Sequence, residues 1–396
     1  MSYLLFETGE VYSGIGYGSP TNAIGELVFN TSMTGYQEVI TDPSYKGQII
    51  TFTYPHIGNI GTCNNDNEND NESNQTWLKA VITRELPTTP SNWRSEKNFE
   101  QYLLDNNIPG LAKIDTRKLT KKIRDYGNLI GMIIKDNLQP QDALKQILTY
   151  KNNNLASKSL FSPYERIKDI SGYSNNKDTK GLNVLIIDFG CKASILRMLV
   201  RFNCKISILN SDCSFTKIKA LQPDAVILSN GPGNPESYLS AINLIKKIIE
   251  EQIPMLGICL GHQLLGIALG AKIQKLQFGH HGINHPVKNI ANNKVFITSQ
   301  NHNYVINKTT LPSTIRVTHL SLFDNSIQGF AHNKYLFMGF QGHPEGAPGP
   351  IDIQNNILDK FIIAVLNAKQ PLYMKQERKN EDIINWVRSN NSWSSM

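Results

Sequence analysis

Pro254-Met255-Leu256-Gly257-Ile258-Cys259-Leu260-Gly261-His262-Gln263-Leu264-Leu265-Gly266 is the stretch on which the fold turns. Its short apolar run reads as a strand buried on both faces, and helical spacing resumes after Cys259. A nucleophile between strand and helix, with a glycine two residues to either side, is an elbow arrangement. Glycine suits those positions because the turn is tight and the neighbouring backbone comes close. The sulfur then sits at a helix N-terminus, where the dipole favours thiolate. A free cysteine is more often a small buried residue, but the flanking glycines and the helix start weigh against that reading here.

Working outward, the same strand–helix alternation begins at Leu182. Apolar runs at 182–187, 205–209, 224–228 and 254–258 alternate with helical stretches near 194–202 and 237–251. This pattern predicts a parallel α/β sheet covered on both faces, with its site at the carboxyl ends of the strands. The next such end follows Tyr335-Leu336-Phe337-Met338-Gly339-Phe340 and carries His343-Pro344-Glu345. A thiolate needs a base held by a third group, which makes His343 the expected base and Glu345 its orienter. His262, three residues past the cysteine, is expected to pack or hydrogen-bond. Ser229-Asn230-Gly231-Pro232-Gly233 follows another strand but lacks a phosphate-loop lysine. Its expected use is a backbone oxyanion site made from the N–H groups of Gly233 and Leu260.

The chain has 396 residues, 40% of them hydrophobic and 18% charged, which excludes a disordered chain and points to two domains. Residues 1–150 read as a separate mixed α/β domain of short strands, 151–180 as a linker, 181–370 as the parallel-sheet domain and 371–396 as a polar tail. The run from Asn64 to Glu72 reads as a surface loop. Gly14-Ile15-Gly16-Tyr17-Gly18 mimics a dinucleotide fingerprint but opens no helix, so a hairpin turn is expected. The net charge of +7 is scattered, which argues against nucleic acid. Five cysteines without CxxC spacing indicate neither disulfides nor zinc, and His280, His281 and His285 lack ligand spacing, so no metal is expected. No membrane-spanning run or targeting segment is evident, which leads to the expectation of a bacterial cytoplasm or, for a plastid-encoded protein, the stroma.

Gly257-Ile258-Cys259-Leu260-Gly261-His262-Gln263, the later His-Pro-Glu and Ser229-Asn230-Gly231-Pro232-Gly233 together resemble the class I (triad) glutamine amidotransferases, whose sheet is flavodoxin-like. The stretches 25–38, 41–45, 53–59, 115–120 and 278–286 resemble the small-subunit family of carbamoyl-phosphate synthetases. Nearly the whole chain is covered. The resemblance implies that Cys259 attacks the amide of L-glutamine, with the substrate held by Ser44, Gly231, Gly233, Leu260, Gln263, Asn301, Asn303 and Tyr304. Read without the family, Ser44 is a turn residue. The resemblance further implies a large synthetase subunit as partner, in a heterodimer or a higher oligomer of heterodimers. That partner would use ATP, magnesium and bicarbonate to make carbamoyl phosphate for arginine and pyrimidines. No cofactor is implied in this chain. Asn303, Tyr304, Ser194 and Gly346-Ala347 depart from the familiar pattern, and none of them is a triad member.

Three rivals share part of this signature. An amidotransferase serving guanylate or anthranilate synthesis shares the triad but not Asn30-Thr31-Ser32-Met33-Thr34-Gly35-Tyr36-Gln37. A γ-glutamyl peptidase needs no extra N-terminal domain. A scaffold with a dead site requires a missing triad member, and all three are present.

Overall fold

The computed structural model describes residues 2–63, 71–86, 89–156 and 181–369. The expected tail, most of the expected linker and residues 64–70 of the polar run lie outside them. The N-terminal domain consists of β1 (Ser2–Phe6), β2 (Val11–Gly18), β3 (Ala23–Asn30), α1 (Tyr36–Thr41), β4 (Gln48–Phe52), β5 (Ala80–Ile82), α2 (Phe99–Asp105), β6 (Pro109–Ala112), α3 (Thr116–Tyr126), β7 (Ile130–Ile134) and α4 (Pro140–Ala156). Its seven strands close into a barrel in the order β1-β2-β6-β5-β4-β3-β7. Leu4, Phe6, Leu27, Ile49, Ile82, Leu111 and Ile133 form one continuous buried cluster of this domain. α4 runs past residue 150, so the domain's last helix takes up the first part of the expected linker.

Two expectations for this domain are corrected. Gly14 to Gly18 is not a hairpin turn but the second half of β2, paired with β6. A glycine is needed there because a Cβ on Gly14 would stand 2.5 Å from the Ala112 carbonyl oxygen of the neighbouring strand. Glu72, the last residue of the polar run, is not at the surface but fully buried. Its carboxylate finds Ser194 and Arg197 of the other domain, which offset the cost of taking a charge out of water.

The C-terminal domain continues with β8 (Asn183–Asp188), α5 (Ala193–Arg201), β9 (Lys205–Asn210), α6 (Phe215–Leu221), β10 (Ala225–Leu228), α7 (Leu239–Glu250), β11 (Met255–Ile258), α8 (Leu260–Ala268), β12 (Ile273–Asn289), β13 (Val295–Ile306), β14 (Ile315–Ser321), β15 (Ile327–His332), β16 (Phe337–Phe340) and α9 (Gln354–Lys369). One nine-stranded sheet has the order β13-β12-β14-β15-β16-β11-β10-β8-β9. The five strands from β16 to β9 are parallel, as the apolar runs predict. Alternation along β8 feeds both faces. Val184 and Ile186 pack with α5 and α9, while Leu185 and Ile187 pack with α7 and α8. The other four strands extend the sheet by antiparallel pairing, a half that the sequence reading did not resolve.

Phe361 of α9 is fully buried in the first of these two clusters. Phe361→Ala is expected to cost about 3–5 kcal/mol through lost burial and the cavity left behind. Urea denaturation checks this, with an unchanged slope and a lower midpoint as the expected result.

Candidate active site

Cys259 stands between β11 and α8, at the N-terminus of the helix, with φ 52° and ψ −106°. This is a strained backbone for an L-residue, of the kind that persists only where its surroundings fix it. Two contacts do so: Cys259 N–H donates to the Phe340 carbonyl at 2.9 Å, and Gly261 N–H to the Ser229 carbonyl at 3.0 Å. A Cβ on Gly257 would lie 2.4 Å from the Gly261 oxygen, and one on Gly261 would lie 2.1 Å from the Leu228 oxygen. The elbow therefore excludes every other residue at both positions, as its spacing predicts. The Sγ lies 3.5 Å from the Asn301 carbonyl and 3.8 Å from Gln341 Nε2.

His343 follows β16 and is tied to β13 through its N–H, which donates to the Ser299 carbonyl at 2.9 Å. Its Nδ1 lies 2.5 Å from Glu345 Oε1, and both side chains are almost fully buried. His343 Nε2 has no hydrogen-bond partner in strict geometry. The Cys259 sulfur is nonetheless close enough to act on the ring's titration. Burial alone would lower the histidine pKa, but the charges of Glu345 and of Cys259 overcome it and raise it well above the usual range. Burial likewise works against ionised Glu345, and the charges of Lys192 and His343 overcome that, pulling its pKa down from 4.5 to about 2.

Lys192 was missed by the sequence reading. It is 1% exposed, and its Nζ donates to Glu345 Oε1 at 2.9 Å and to the Ala347 carbonyl. A lone lysine just before a helix reads as a solvated surface charge, so only the fold exposes its role.

The eight residues expected to hold substrate come together. Ser44, Gly231, Gly233, Leu260, Gln263, Asn301, Asn303 and Tyr304 line one pocket with Cys259, joined by Gln48, Pro232, His281 and His302. Ser44 arrives from the barrel domain on a 3-10 turn capped by Asp42, and its Oγ accepts from Asn230 Nδ2 at 2.9 Å. The loop carrying Gly231 and Gly233 is held by the Tyr238 hydroxyl, which donates to the Pro232 carbonyl at 2.8 Å. Gln263 Nε2 donates to the Tyr304 carbonyl at 2.7 Å. His343 lies outside this pocket, in an adjacent one lined by Asp42, Tyr45, Lys192 and Asn301.

The other histidines divide. His281 bridges Asn301 and Asn303 through its two ring nitrogens, both at 2.9 Å, and so belongs to the pocket wall. His262 packs on Phe330 with ring centres 4.9 Å apart, and burial pushes its pKa down to about 3. Among the described residues, no group of three or more His, Cys, Asp or Glu is arranged to hold a metal, and no helix is long and apolar enough to cross a membrane. All five cysteines are free.

An elbow cysteine on a doubly covered parallel sheet, backed by a buried His–Glu pair, defines a class I glutamine amidotransferase domain, and residues 185–365 match the family described as glutamine amidotransferase class-I. Residues 4–133 match the family described as carbamoyl-phosphate synthase small chain, CPSase domain. The chain belongs to the carbamoyl phosphate synthase small-chain family. It is 44% identical to the small chain of Buchnera aphidicola subsp. Acyrthosiphon pisum, over 94% of this chain and 98% of that one. It is 46% identical to that of Photobacterium profundum, over 91% of this chain and 95% of that one. The small chain of Vibrio parahaemolyticus is 44% identical over 91% of this chain and 97% of its own length.

Lys192→Met would strip a buried carboxylate of one partner, at an expected cost of about 3–5 kcal/mol. Because the Glu345 pKa is depressed in the folded protein, its contribution is present above the unfolded value of 4.5 and fades as pH falls toward about 2. With the lysine gone the depression shrinks, so acid unfolding followed by circular dichroism should begin at higher pH in the variant.

Proposed function

We propose that this chain hydrolyses L-glutamine to glutamate and ammonia through a thioester on Cys259. Attack of the thiolate on the side-chain amide carbon creates an oxyanion, which the N–H groups of Gly233 and Leu260 stabilise. Both are backbone donors, and that of Leu260 belongs to the unpaired first turn of α8. His343, protonated and held by Glu345, gives its proton to the departing ammonia. The γ-glutamyl thioester then meets a water molecule that passes a proton back to His343, releasing glutamate and the thiolate. Ser44, Gly231, Gln263, Asn301, Asn303 and Tyr304 bind and orient the amino acid. The observation that supports this reading most directly is the convergence of Cys259 with Ser44, from a different domain, in one pocket.

Ammonia passes to a large synthetase subunit, where ATP, magnesium and bicarbonate yield carbamoyl phosphate for arginine and pyrimidine synthesis. The proposed reaction in this chain uses no cofactor. The relatives' description as small chains supports such a partner. A free ammonia molecule would be protonated and lost, so the interface should be large and sheltered, above ~2,000 Å² in total.

Glutamate release by wild type and Cys259→Ser, each with and without the large subunit and ATP, tests this reading. Wild type should be slow alone and faster with the partner, and the serine variant inactive in both settings. Full activity in the serine variant would place the nucleophile elsewhere, and activity indifferent to the partner would favour a peptidase-like enzyme. Ser44→Ala, which removes about one hydrogen bond, should raise KM for glutamine roughly tenfold while kcat changes less.

A further inference from the structure

Glu72 is the fully buried carboxylate at the end of the polar run, and the reaction proposed above gives it no part. It belongs to the N-terminal domain, where its N–H donates to Thr41 Oγ1 at 2.9 Å and the neighbouring Ser73 Oγ donates to the Thr41 carbonyl at 2.6 Å. It also meets the first two turns of α5 in the other domain. Glu72 Oε2 accepts from Ser194 N–H at 3.1 Å and from Ser194 Oγ at 2.6 Å. Oε1 accepts from Arg197 Nη2 at 3.0 Å, and the Glu72 carbonyl accepts from Ala193 N–H at 3.0 Å.

The residue at the N-cap of that helix is Lys192, whose own side chain makes no cap. A carboxylate at a helix N-terminus satisfies orphaned N–H groups and suits the dipole. Here that carboxylate is supplied by the other domain and binds Ser194, two residues after the lysine that pairs with Glu345. Lys192 Nζ and His343 Nδ1 lie on the same oxygen, Glu345 Oε1, at 2.9 and 2.5 Å. Lysine and histidine therefore share one carboxylate oxygen. The charged groups facing Lys192 are Glu345, Glu72 and Asp42. Those acting on His343 are Glu345, Cys259 and Lys192. Burial raises the Glu72 pKa, and the charges of Lys192 and Arg197 work against that rise.

Building on the glutaminase reading, we propose that Glu72 is a positioning residue for the triad. It fixes Lys192 at the head of α5 and draws on the lysine's charge, so that Glu345 is left free to hold His343. Through Glu72 the barrel domain reaches the chemistry at a second point besides Ser44. Removing its charge leaves the full lysine charge on Glu345, which disfavours the imidazolium, so His343 should titrate at lower pH.

The test uses the full chain as wild type, Glu72→Gln and Glu72→Ala, with histidine rings labelled for NMR titration and glutamine kinetics measured in parallel. Glu72→Gln keeps an acceptor for Ser194 but not the charge. It should keep the melting temperature near wild type, lower the His343 titration midpoint by about half a unit or more, and reduce kcat about tenfold with KM little changed. A wild-type midpoint and kcat in Glu72→Gln would overturn the proposal. So would a loss of stability and activity in Glu72→Ala that Glu72→Gln fully restores, since that pattern marks a helix cap and nothing more. Should wild type itself hydrolyse no glutamine, the glutaminase reading falls, and the ring titration still decides the part played by Glu72.

Discussion

The backbone at Cys259 is the constraint on which the site depends. A residue held at φ 52° and ψ −106° stores roughly 1–3 kcal/mol, so its neighbours must over-determine it. They do so from two sides, because the amides at 259 and 261 bond to the ends of two other strand segments, at Phe340 and Ser229. The bond to Phe340 has a second effect. His343 is three residues beyond it, so the contact that holds the strained Cys259 also places His343. Strand order does the work that a long loop could not do as rigidly: β16 lies next to β11 in the sheet, and the two functional groups leave adjacent strand ends.

A second dependence is electrostatic. Glu345 and Lys192 are nearly devoid of solvent contact, and a charge in such a place is costly unless it is paired. The ionised groups are therefore a set: taking one away leaves another uncompensated. The set spans the domain boundary, because Glu72 and Asp42 act on Lys192 while Ser44 bonds Asn230. The two domains accordingly share a site rather than merely a linker. Ser44 and Gln48 of the barrel domain line one pocket with Cys259.

How much of this could be read from the sequence follows the physics of each part. The parallel strands were legible because burial on both faces demands unbroken apolar runs, and the elbow because only glycine meets its clearances. The antiparallel half was not. β12 carries His280, His281 and His285, and β13 carries Gln300, Asn301, His302 and Asn303, so polar residues that serve the pocket and its surroundings interrupt the alternation that would announce a strand. Lys192 and Glu72 were illegible for another reason. Their partners are 153 and 122 residues away in sequence, and a charged residue reads as solvated until the fold supplies its counter-charge. The glycines of β2 misled in the opposite direction: a turn-like composition marked a close approach of two barrel strands.

The closure of the N-terminal barrel has a consequence for assembly. A sheet with an open edge offers unpaired N–H and C=O groups on which another chain can add a strand. In the barrel every strand has two neighbours, β7 pairing back to β1, so β-augmentation has no purchase there. The large sheet does have edges, at β9 and β13. Any protein that binds the barrel must therefore recognise side-chain shape and charge, such as the exposed Val11 and Ile15 on the outer surface of β2, rather than main-chain register. Recognition of that kind can diverge between species by point substitution without disturbing the barrel's own hydrogen bonds.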